Sequence, residues 1–188
     1  MLERQQKILE AAVRVIARSG VRGLRVEKIA AEAGISTSLI YYHFTNRAGL
    51  LGKTLEFVSD RAAAYTEEAA AEAADPRAEL ELMLFGEFQD TQAVRENSTA
   101  WGELRASAVF APELRQPLAE STRIWVDEVA DVIRRVGSAG VKAEDAAERL
   151  TSLVEGLSER WLSGSMDLDR ARDLLRAAIT LELDRAGD

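Results

Sequence analysis

Apolar residues recur at helical spacing along most of the chain, and this periodicity restricts the fold more than any other feature. No segment shows the sustained alternation of a strand, alanine is abundant, and the 188 residues include only three prolines. The sequence therefore predicts an all-α protein without strands. Nine helices are expected, over roughly residues 3–19, 26–33, 37–43, 47–73, 76–96, 99–109, 112–137, 143–163 and 168–185.

Several helix ends carry residues that are typical of caps. Ser36 is placed to cap the third helix and Asn46 the fourth, because their short polar side chains can accept hydrogen bonds from the first backbone amides. By the same argument, Asn97 and Ser98 predict the start of the sixth helix. Pro117 lies five residues into the seventh helix, so we expect the first turn of that helix to be kinked or separate.

The composition excludes several kinds of chemistry. The chain has no cysteine, which rules out disulfides, thiol catalysis and cysteine-based zinc sites. The single histidine, His43, excludes histidine-rich metal centres. Asp167 and Asp169 are similar to part of a calcium loop, but the required glycine and glutamate are absent, so we interpret them as helix-capping residues. We therefore expect no metal and no cofactor.

The hydropathy pattern argues against a membrane protein. No apolar run approaches the roughly 18 residues that are needed to cross a bilayer. The N-terminal residues are polar and lack the apolar segment of a signal peptide, so we expect a cytoplasmic protein.

Charge is distributed unevenly along the chain. The formal net charge is −8, yet residues 1–55 carry nine Lys and Arg against four Glu, a local charge of +5. The remaining residues have a net charge of −13. A basic first quarter on an acidic body favours a polyanionic partner at one end.

Helices two and three are short and are separated by a turn that contains Gly34, which is the arrangement of a helix-turn-helix. Ile29 and Ala30 are expected to face Leu39 and Ile40 across this turn. Hydroxyl, aromatic and imidazole side chains remain exposed on helix three, and such groups suit phosphate oxygens and base edges. These side chains are Thr37, Ser38, Tyr41, Tyr42 and His43.

The run from Gly34 to Arg47, followed by Leu50 and Leu51, closely resembles the signature of the TetR family of transcriptional regulators. This resemblance implies a nine-helix TetR-like architecture. It divides the chain into a helix-turn-helix DNA-binding domain over residues 1–46 and a ligand-binding and dimerisation domain over 47–188. The later pattern is similar to the betaine-repressor type of C-terminal domain, through Trp101, Pro112-Glu113-Leu114, Trp125 and Glu155-Gly156-Leu157.

The resemblance also implies a set of DNA-binding residues. They are Arg25, Lys28, Ser36, Thr37, Ser38, Tyr41, Tyr42, His43 and Arg47. Arg47 stands where the family usually has Lys, and both cations suit a phosphate. Arg25 stands where Thr or Ser usually caps helix two, and Gly49 replaces an acidic capping residue of helix four. Two alternatives stay open: Tyr41 as a partly buried core residue, and His43 as an ordinary surface histidine.

The acidic body contains candidates for an effector pocket. Helix five is apolar nearly all round, and it carries Glu87 on the same face as Leu80, Leu84 and Phe88. The family places a pocket among helices four to eight, and the candidate lining residues are Phe85, Glu87, Phe88, Trp101, Phe110, Trp125 and Trp161. The aromatic residues could instead be ordinary core. Glu87 could neutralise an organic cation, or it could pair with Arg105 or Arg123 and leave a pocket for a neutral lipophilic ligand.

Helices eight and nine are amphipathic, and they either cover the core or meet their copies across a two-fold axis. The resemblance favours the second alternative, a dimer interface.

The function that we predict is a ligand-responsive dimeric DNA-binding regulator, most often a repressor in this family, with a palindromic operator and a small-molecule effector. The alternatives are an enzyme and a helical interaction protein without DNA binding. No nucleotide-binding glycine pattern or nucleophilic serine motif supports an enzyme.

Overall fold

The computed structural model describes residues 2–71, 73–137 and 142–184, and the regular structure within these ranges is entirely helical. Nine α-helices confirm the predicted fold class for this part of the chain. They are α1 (Leu2–Ser19), α2 (Val26–Ala33), α3 (Thr37–His43), α4 (Arg47–Ala70), α5 (Pro76–Phe85), α6 (Gln92–Ala108), α7 (Arg115–Val136), α8 (Ala143–Leu162) and α9 (Leu168–Leu183). Three short 3₁₀ helices lie between them, over Val21–Gly23, Gly86–Phe88 and Pro112–Leu114. Among the described helices, none has the length and apolar character that a membrane crossing requires.

The predicted boundary between helices five and six is wrong. The α-helix ends at Phe85, a 3₁₀ turn follows, and α6 already begins at Gln92. Asn97 is therefore inside α6 and does not cap it; its side chain is buried and its Nδ2 donates to the carbonyl of Val58 at 3.1 Å. Ser98 is buried beside it. Local capping preference did not predict this, because tertiary packing supplies the buried amide with a backbone partner.

Other predicted helix ends agree with the structure. The amide of Leu39 donates to Ser36 Oγ at 3.4 Å, and the amide of Gly49 donates to Asn46 Oδ1 at 2.8 Å. The 3₁₀ turn that begins at Pro112 is separate from α7, and Pro117 lies in the first turn of α7, as expected. Asp167 departs from the expectation, because it occupies the N-cap position of α9 but its side chain makes no capping hydrogen bond.

The chain divides into two compact units. The first contains Met1–Arg61 and Glu96–Ser121, and the second contains Ala62–Arg95 and Thr122–Asp188. Each unit has its own apolar core. Fully buried residues of the first core include Ile8, Ile16, Ile29, Leu50, Leu55, Leu104 and Leu114. Those of the second include Leu80, Leu84, Phe88, Val129, Ala146, Leu175 and Ile179. The functional boundary after residue 46 stays a prediction.

Helices α8 and α9 cover the core of the second unit. Ala146, Leu150 and Trp161 of α8 are buried, and Ala171 and Leu175 of α9 pack into the same cluster. Their core-covering role is therefore observed, whereas contact with a second copy stays a prediction. An apolar surface nearly all round would place helix α5 in the centre of the domain, but the helix is not buried on every side, because Leu82 is exposed to solvent.

Candidate nucleic-acid interface and effector site

The turn between α2 and α3 is built by backbone hydrogen bonds around Gly34. Gly34 has a left-handed conformation with φ +66°, and the amide of Ile35 donates to the carbonyl of Ala30 at 3.0 Å. A glycine favours this backbone conformation because it has no side chain to strain. Ile29 and Ile40 are buried beneath the turn, as the sequence predicts. The two helices are therefore held as a packed helix-turn-helix.

Helix α3 exposes most of its predicted contact residues. Tyr42 is 72% exposed and Tyr41 is 59% exposed, so the ring of Tyr41 lies largely outside the core. Ser38 is exposed, whereas Thr37 and His43 are half-buried. The rings of Tyr42 and His43 contact each other edge to face, with centroids 5.3 Å apart. Helix α3 thus presents the hydroxyl group of Ser38 and the rings of Tyr41 and Tyr42 to solvent.

Cationic side chains lie at the N-terminal end of α2. Arg25 occupies the N-cap position and makes no capping hydrogen bond with its side chain, in agreement with the loss of the usual Thr or Ser. Arg25 and Lys28 are both exposed. Exposed cations beside the unpaired amides of a helix start are suited to a phosphate group.

Arg47 has a partner that sequence reasoning missed. Its Nη2 donates to the backbone carbonyl of Val21 at 2.7 Å, which ties the start of α4 to the connection between α1 and α2. The amide of the same Val21 donates to Glu103 Oε2 of α6 at 3.0 Å. Residues 21 and 103 are 82 positions apart, and no local pattern in the sequence signals their contact.

An ion-pair network joins α1 to α2. Glu32 accepts a hydrogen bond from Arg14 Nε at 2.7 Å and pairs closely with Arg18 as well. Hydrogen bonds from the Arg18 and Arg14 guanidinium groups hold the pKa of Glu32 below its ordinary value. Arg14 and Arg18 therefore have a role in holding the helices together.

The predicted effector residues fall into both units. Trp101 packs against the first core, with the guanidinium of Arg105 5.5 Å from its ring centroid. Phe110 follows α6 and is 81% exposed, contrary to the expectation that it lines a pocket. The other five candidates belong to the second unit, and they are Phe85, Glu87, Phe88, Trp125 and Trp161.

Phe88 and Trp161 behave as core aromatics. Both are buried, and their ring centroids are 6.4 Å apart. The guanidinium of Arg95 lies 4.6 Å from the centroid of Trp161, so this ring already has a cation of the protein at its face. Arg176 is placed similarly against Phe85, at 5.3 Å. The ordinary-core interpretation therefore describes the packing of these aromatic rings.

Glu87 lies half-buried in the 3₁₀ turn after α5. The hydroxyl of Tyr65, from α4, donates to Glu87 Oε1 at 2.5 Å. Arg123, one of the two arginines considered as partners, pairs with Asp127 at 2.7 Å. Tyr65 was not predicted as a site residue, because 22 positions separate it from Glu87. A side chain at Gly86 would meet Thr66 Cγ2 at 2.9 Å, so the turn approaches α4 closely.

A second carboxyl group of this unit is perturbed. Glu128 on α7 is exposed as a residue, but partial desolvation of its carboxyl group, together with the charge of Glu67, raises the pKa of this group above the ordinary value. Trp125 is one turn earlier on the same helix and is half-buried. Helices α4 and α7 thus contribute both acidic and aromatic side chains to the second unit.

Comparison with known proteins identifies the family. Residues 8–54 match the family of bacterial regulatory proteins described as the tetR family. Residues 76–184 match the C-terminal domain of the BetI-type transcriptional repressors. This chain belongs to the TetR family. The HTH-type transcriptional regulator BetI of Burkholderia mallei (strain NCTC 10229) is 30% identical over 165 residues, which cover 87% of this TetR-family chain and 82% of that protein.

Solved structures are similar over nearly the whole TetR-family chain. A TetR-family transcriptional regulator from Rhodococcus sp. is 44% identical, with a TM-score of 0.91 over 97% of this chain and 100% of that one. A transcriptional regulator from Saccharomonospora viridis, solved in complex with choline, is 26% identical, with a TM-score of 0.82 and 97% coverage of both chains. The protein is accordingly a DNA-binding transcriptional regulator.

Proposed function

We propose that this regulator is a homodimer that represses transcription from a palindromic operator and is released by a small organic cation. The observation that carries the DNA-binding part is the exposed face of α3, with Tyr41 and Tyr42 largely in solvent. A helix that follows such a turn enters the major groove, where side chains at its start reach base edges. Ser36, Thr37 and Ser38 are at that start.

The surrounding cations suit the DNA backbone. Arg25 and Lys28 are exposed at the start of α2, and Arg47 is exposed at the start of α4. Phosphate contacts of this kind fix the register of a protein on the duplex without reading its sequence. We assign these three cations to phosphates and the first residues of α3 to bases.

The remaining surface of α8 and α9 supports dimerisation. Leu181 is 71% exposed on α9, and Leu174 and Ala178 of the same helix are half-buried. On α8, Leu153 is half-buried and Gly156 is exposed, which permits close approach of another helix. A two-fold dimer would bury these residues and would place its two α3 helices about one turn of DNA apart, roughly 34–36 Å.

The acidic and aromatic side chains of the second unit favour a cationic effector. Negative charge and aromatic faces together attract quaternary ammonium groups. In the second unit these features are supplied by the carboxylate of Glu87, the ring of Tyr65 and the pair Trp125 and Glu128. An organic cation beside Glu128 would favour its ionised form, which partial desolvation and Glu67 oppose. Choline in the related Saccharomonospora viridis protein supports the same class of ligand.

In the first step of the test, the purified protein is mixed with genomic DNA fragments, and the fragments that it binds are recovered. Sedimentation velocity should show two chains on each recovered palindrome, whereas a protein that stays monomeric at micromolar concentration contradicts the dimer. Choline is then titrated into the complex with a fluorescent operator, and we expect release of the wild type.

The matched variants are Glu87→Gln, which keeps the size and removes the charge, and Glu120→Gln, an exposed carboxylate of α7. We expect Glu87→Gln to require at least about tenfold more choline, since a desolvated ion pair contributes about 1.4 kcal/mol or more. Glu120→Gln should respond like the wild type. Release of Glu87→Gln at the wild-type concentration contradicts the counter-ion role. Release of the wild type by neutral lipophilic compounds and by no cation favours an apolar pocket instead.

A further inference from the structure

The connection between α1 and α2 is held from two sides through one residue. The amide of Val21 donates to Glu103 Oε2 of α6 at 3.0 Å. The carbonyl of Val21 accepts from Arg47 Nη2 of α4 at 2.7 Å. The side chain of Val21 is only 4% exposed and belongs to the first core. Val21 thus links α6 to the start of α4 within the first unit.

Gly20 allows the carboxylate of Glu103 to come this close. Its φ is +68°, a backbone conformation that favours glycine. A Cβ atom at this position would lie 2.8 Å from Glu103 Oε2. Any side chain would therefore displace the carboxylate that the amide of Val21 needs. Both the hydrogen bond and the glycine indicate that the contact between the connection and α6 is specific.

The held segment leads directly to DNA-binding residues. The 3₁₀ turn Val21–Gly23 is followed by Leu24, which is buried, and then by Arg25 at the N-cap of α2. The position of Val21 therefore helps to determine where the first turn of α2 presents its cations. Arg47, which binds the same residue, begins α4.

We propose that Glu103 is a positioning residue for operator binding. Its carboxylate fixes the connection between α1 and α2, and with it the phosphate-binding cations Arg25 and Arg47, although Glu103 itself touches no DNA. The geometry makes this role sensitive to small movements, because a hydrogen bond weakens steeply when its distance or angle departs from the preferred range. The proposal rests on the DNA-binding function and adds a residue of α6 to it.

The test compares three variants of Glu103 with a matched control. Glu103→Ala removes the acceptor, Glu103→Gln keeps an oxygen that can accept from the amide, and Glu103→Asp keeps the charge but shortens the reach. Glu113→Ala removes an exposed carboxylate of the same unit that follows α6. All proteins are measured by fluorescence anisotropy on the operator recovered by the wild type, at a temperature at which circular dichroism shows every variant folded.

We expect Glu103→Ala and Glu103→Asp to weaken operator affinity by about three- to tenfold, the scale of one missing charge-assisted hydrogen bond. Glu103→Gln should restore affinity to within about twofold of the wild type, since it keeps a neutral acceptor. Glu113→Ala should bind like the wild type. A lower stability alone would not change the affinity of the folded protein, so the affinity pattern separates positioning from a merely structural role.

Hydrogen exchange of the Val21 amide provides a second readout. Protection should disappear in Glu103→Ala and persist in Glu103→Gln. If Glu103→Ala does not fold, Glu103→Asp carries the same comparison. Wild-type affinity in Glu103→Ala or Glu103→Asp, or unchanged protection of Val21, overturns the positioning role alone. Failure of the wild type to retain any DNA would overturn the DNA-binding function as well.

Discussion

The guanidinium of Arg47 donates a hydrogen bond to the carbonyl of Val21, with Nη2 2.7 Å from the oxygen. Arginine has five N–H donors in a planar fork, so one bond to the backbone leaves others for a phosphate. The hydrogen bond therefore orients the side chain at the start of α4 before DNA is bound. A lysine, which the family usually has here, can bind a phosphate but lacks this fork.

Replacing Arg47 by Ala should weaken binding to all DNA sequences alike. Each chain of the variant neutralises one phosphate fewer, and the slope of log affinity against log salt should become shallower by about 1 for each such phosphate. The change should also lower the free energy of unfolding by about 1 kcal/mol, because the hydrogen bond to Val21 is removed. Anisotropy titrations at several salt concentrations and a urea unfolding curve measure these effects. A changed base preference with an intact salt slope would contradict the assignment.

Changes at Thr37 or Ser38 should alter which sequence is preferred. Both residues are at the start of α3, where side chains reach base edges in the major groove. Tyr42→Ala, in contrast, should reduce affinity for preferred and unrelated sequences by similar factors, because we assign this exposed ring to the DNA backbone. Selection from a random DNA library by each variant reads out the preference. An unchanged consensus for Thr37→Ala and Ser38→Ala would argue against base contacts by these residues.

Removing the cap of α3 should impair DNA binding as well as stability. Ser36 Oγ accepts from the amide of Leu39, and a Ser→Ala change at such a position costs about 1 kcal/mol. Asp75 caps α5 in the second unit, where its Oδ1 accepts from the amide of Ala78 at 2.9 Å. Asp75→Ala is therefore a matched control that should lower stability but leave operator affinity unchanged. Equal effects of the two variants on affinity would show that the cap of α3 has no particular role in binding.

The ion pairs of Glu32 should make stability depend on pH in a defined direction. Hydrogen bonds from Arg18 and Arg14 place the pKa of Glu32 in the folded state below 4.5, its ordinary value. The folded state therefore binds this proton less readily, so the pairs stabilise the protein above pH 4.5 and lose this effect as the pH falls through the folded pKa. The stability difference between wild type and Glu32→Gln should shrink over that range.

Glu27→Gln, an exposed carboxylate of the same helix, is the control for this pH series. Urea unfolding at several pH values measures the stability of each protein. A stability difference between wild type and Glu32→Gln that does not change between neutral and acidic pH would contradict the role of the ion pairs.

Local signals explain why the helix-turn-helix could be predicted closely. Gly34 ends α2, Ser36 caps α3, and the apolar residues that pack between the helices lie within a dozen positions of one another. Each of these features is decided by neighbours in the chain, so the bounds Val26–Ala33 and Thr37–His43 agree with the expectation. The bounds of the two helices therefore follow from nearby residues, although contacts with α1, α4 and α6 also hold this region.

Distant contacts explain what the sequence did not reveal. Tyr65 reaches Glu87 and Glu103 reaches Val21 only because the fold brings separate helices together. Asn97 is a residue type that often caps helices, yet the fold buries it inside α6, where its side chain donates to the carbonyl of Val58. Capping preference is a local property, and a buried backbone acceptor from another helix can override it.

The most direct measurement of the central claim is the salt dependence of operator binding by the wild-type protein. Arg25, Lys28 and Arg47 supply three exposed cations per chain, and thus six for the proposed dimer on a palindrome. About six phosphate contacts should make affinity fall roughly a thousandfold between about 50 and 200 mM salt, because bound counterions are released from the DNA. The account predicts this steep linear decline of log affinity with log salt. An affinity for the recovered DNA that barely changes over the same range would contradict it.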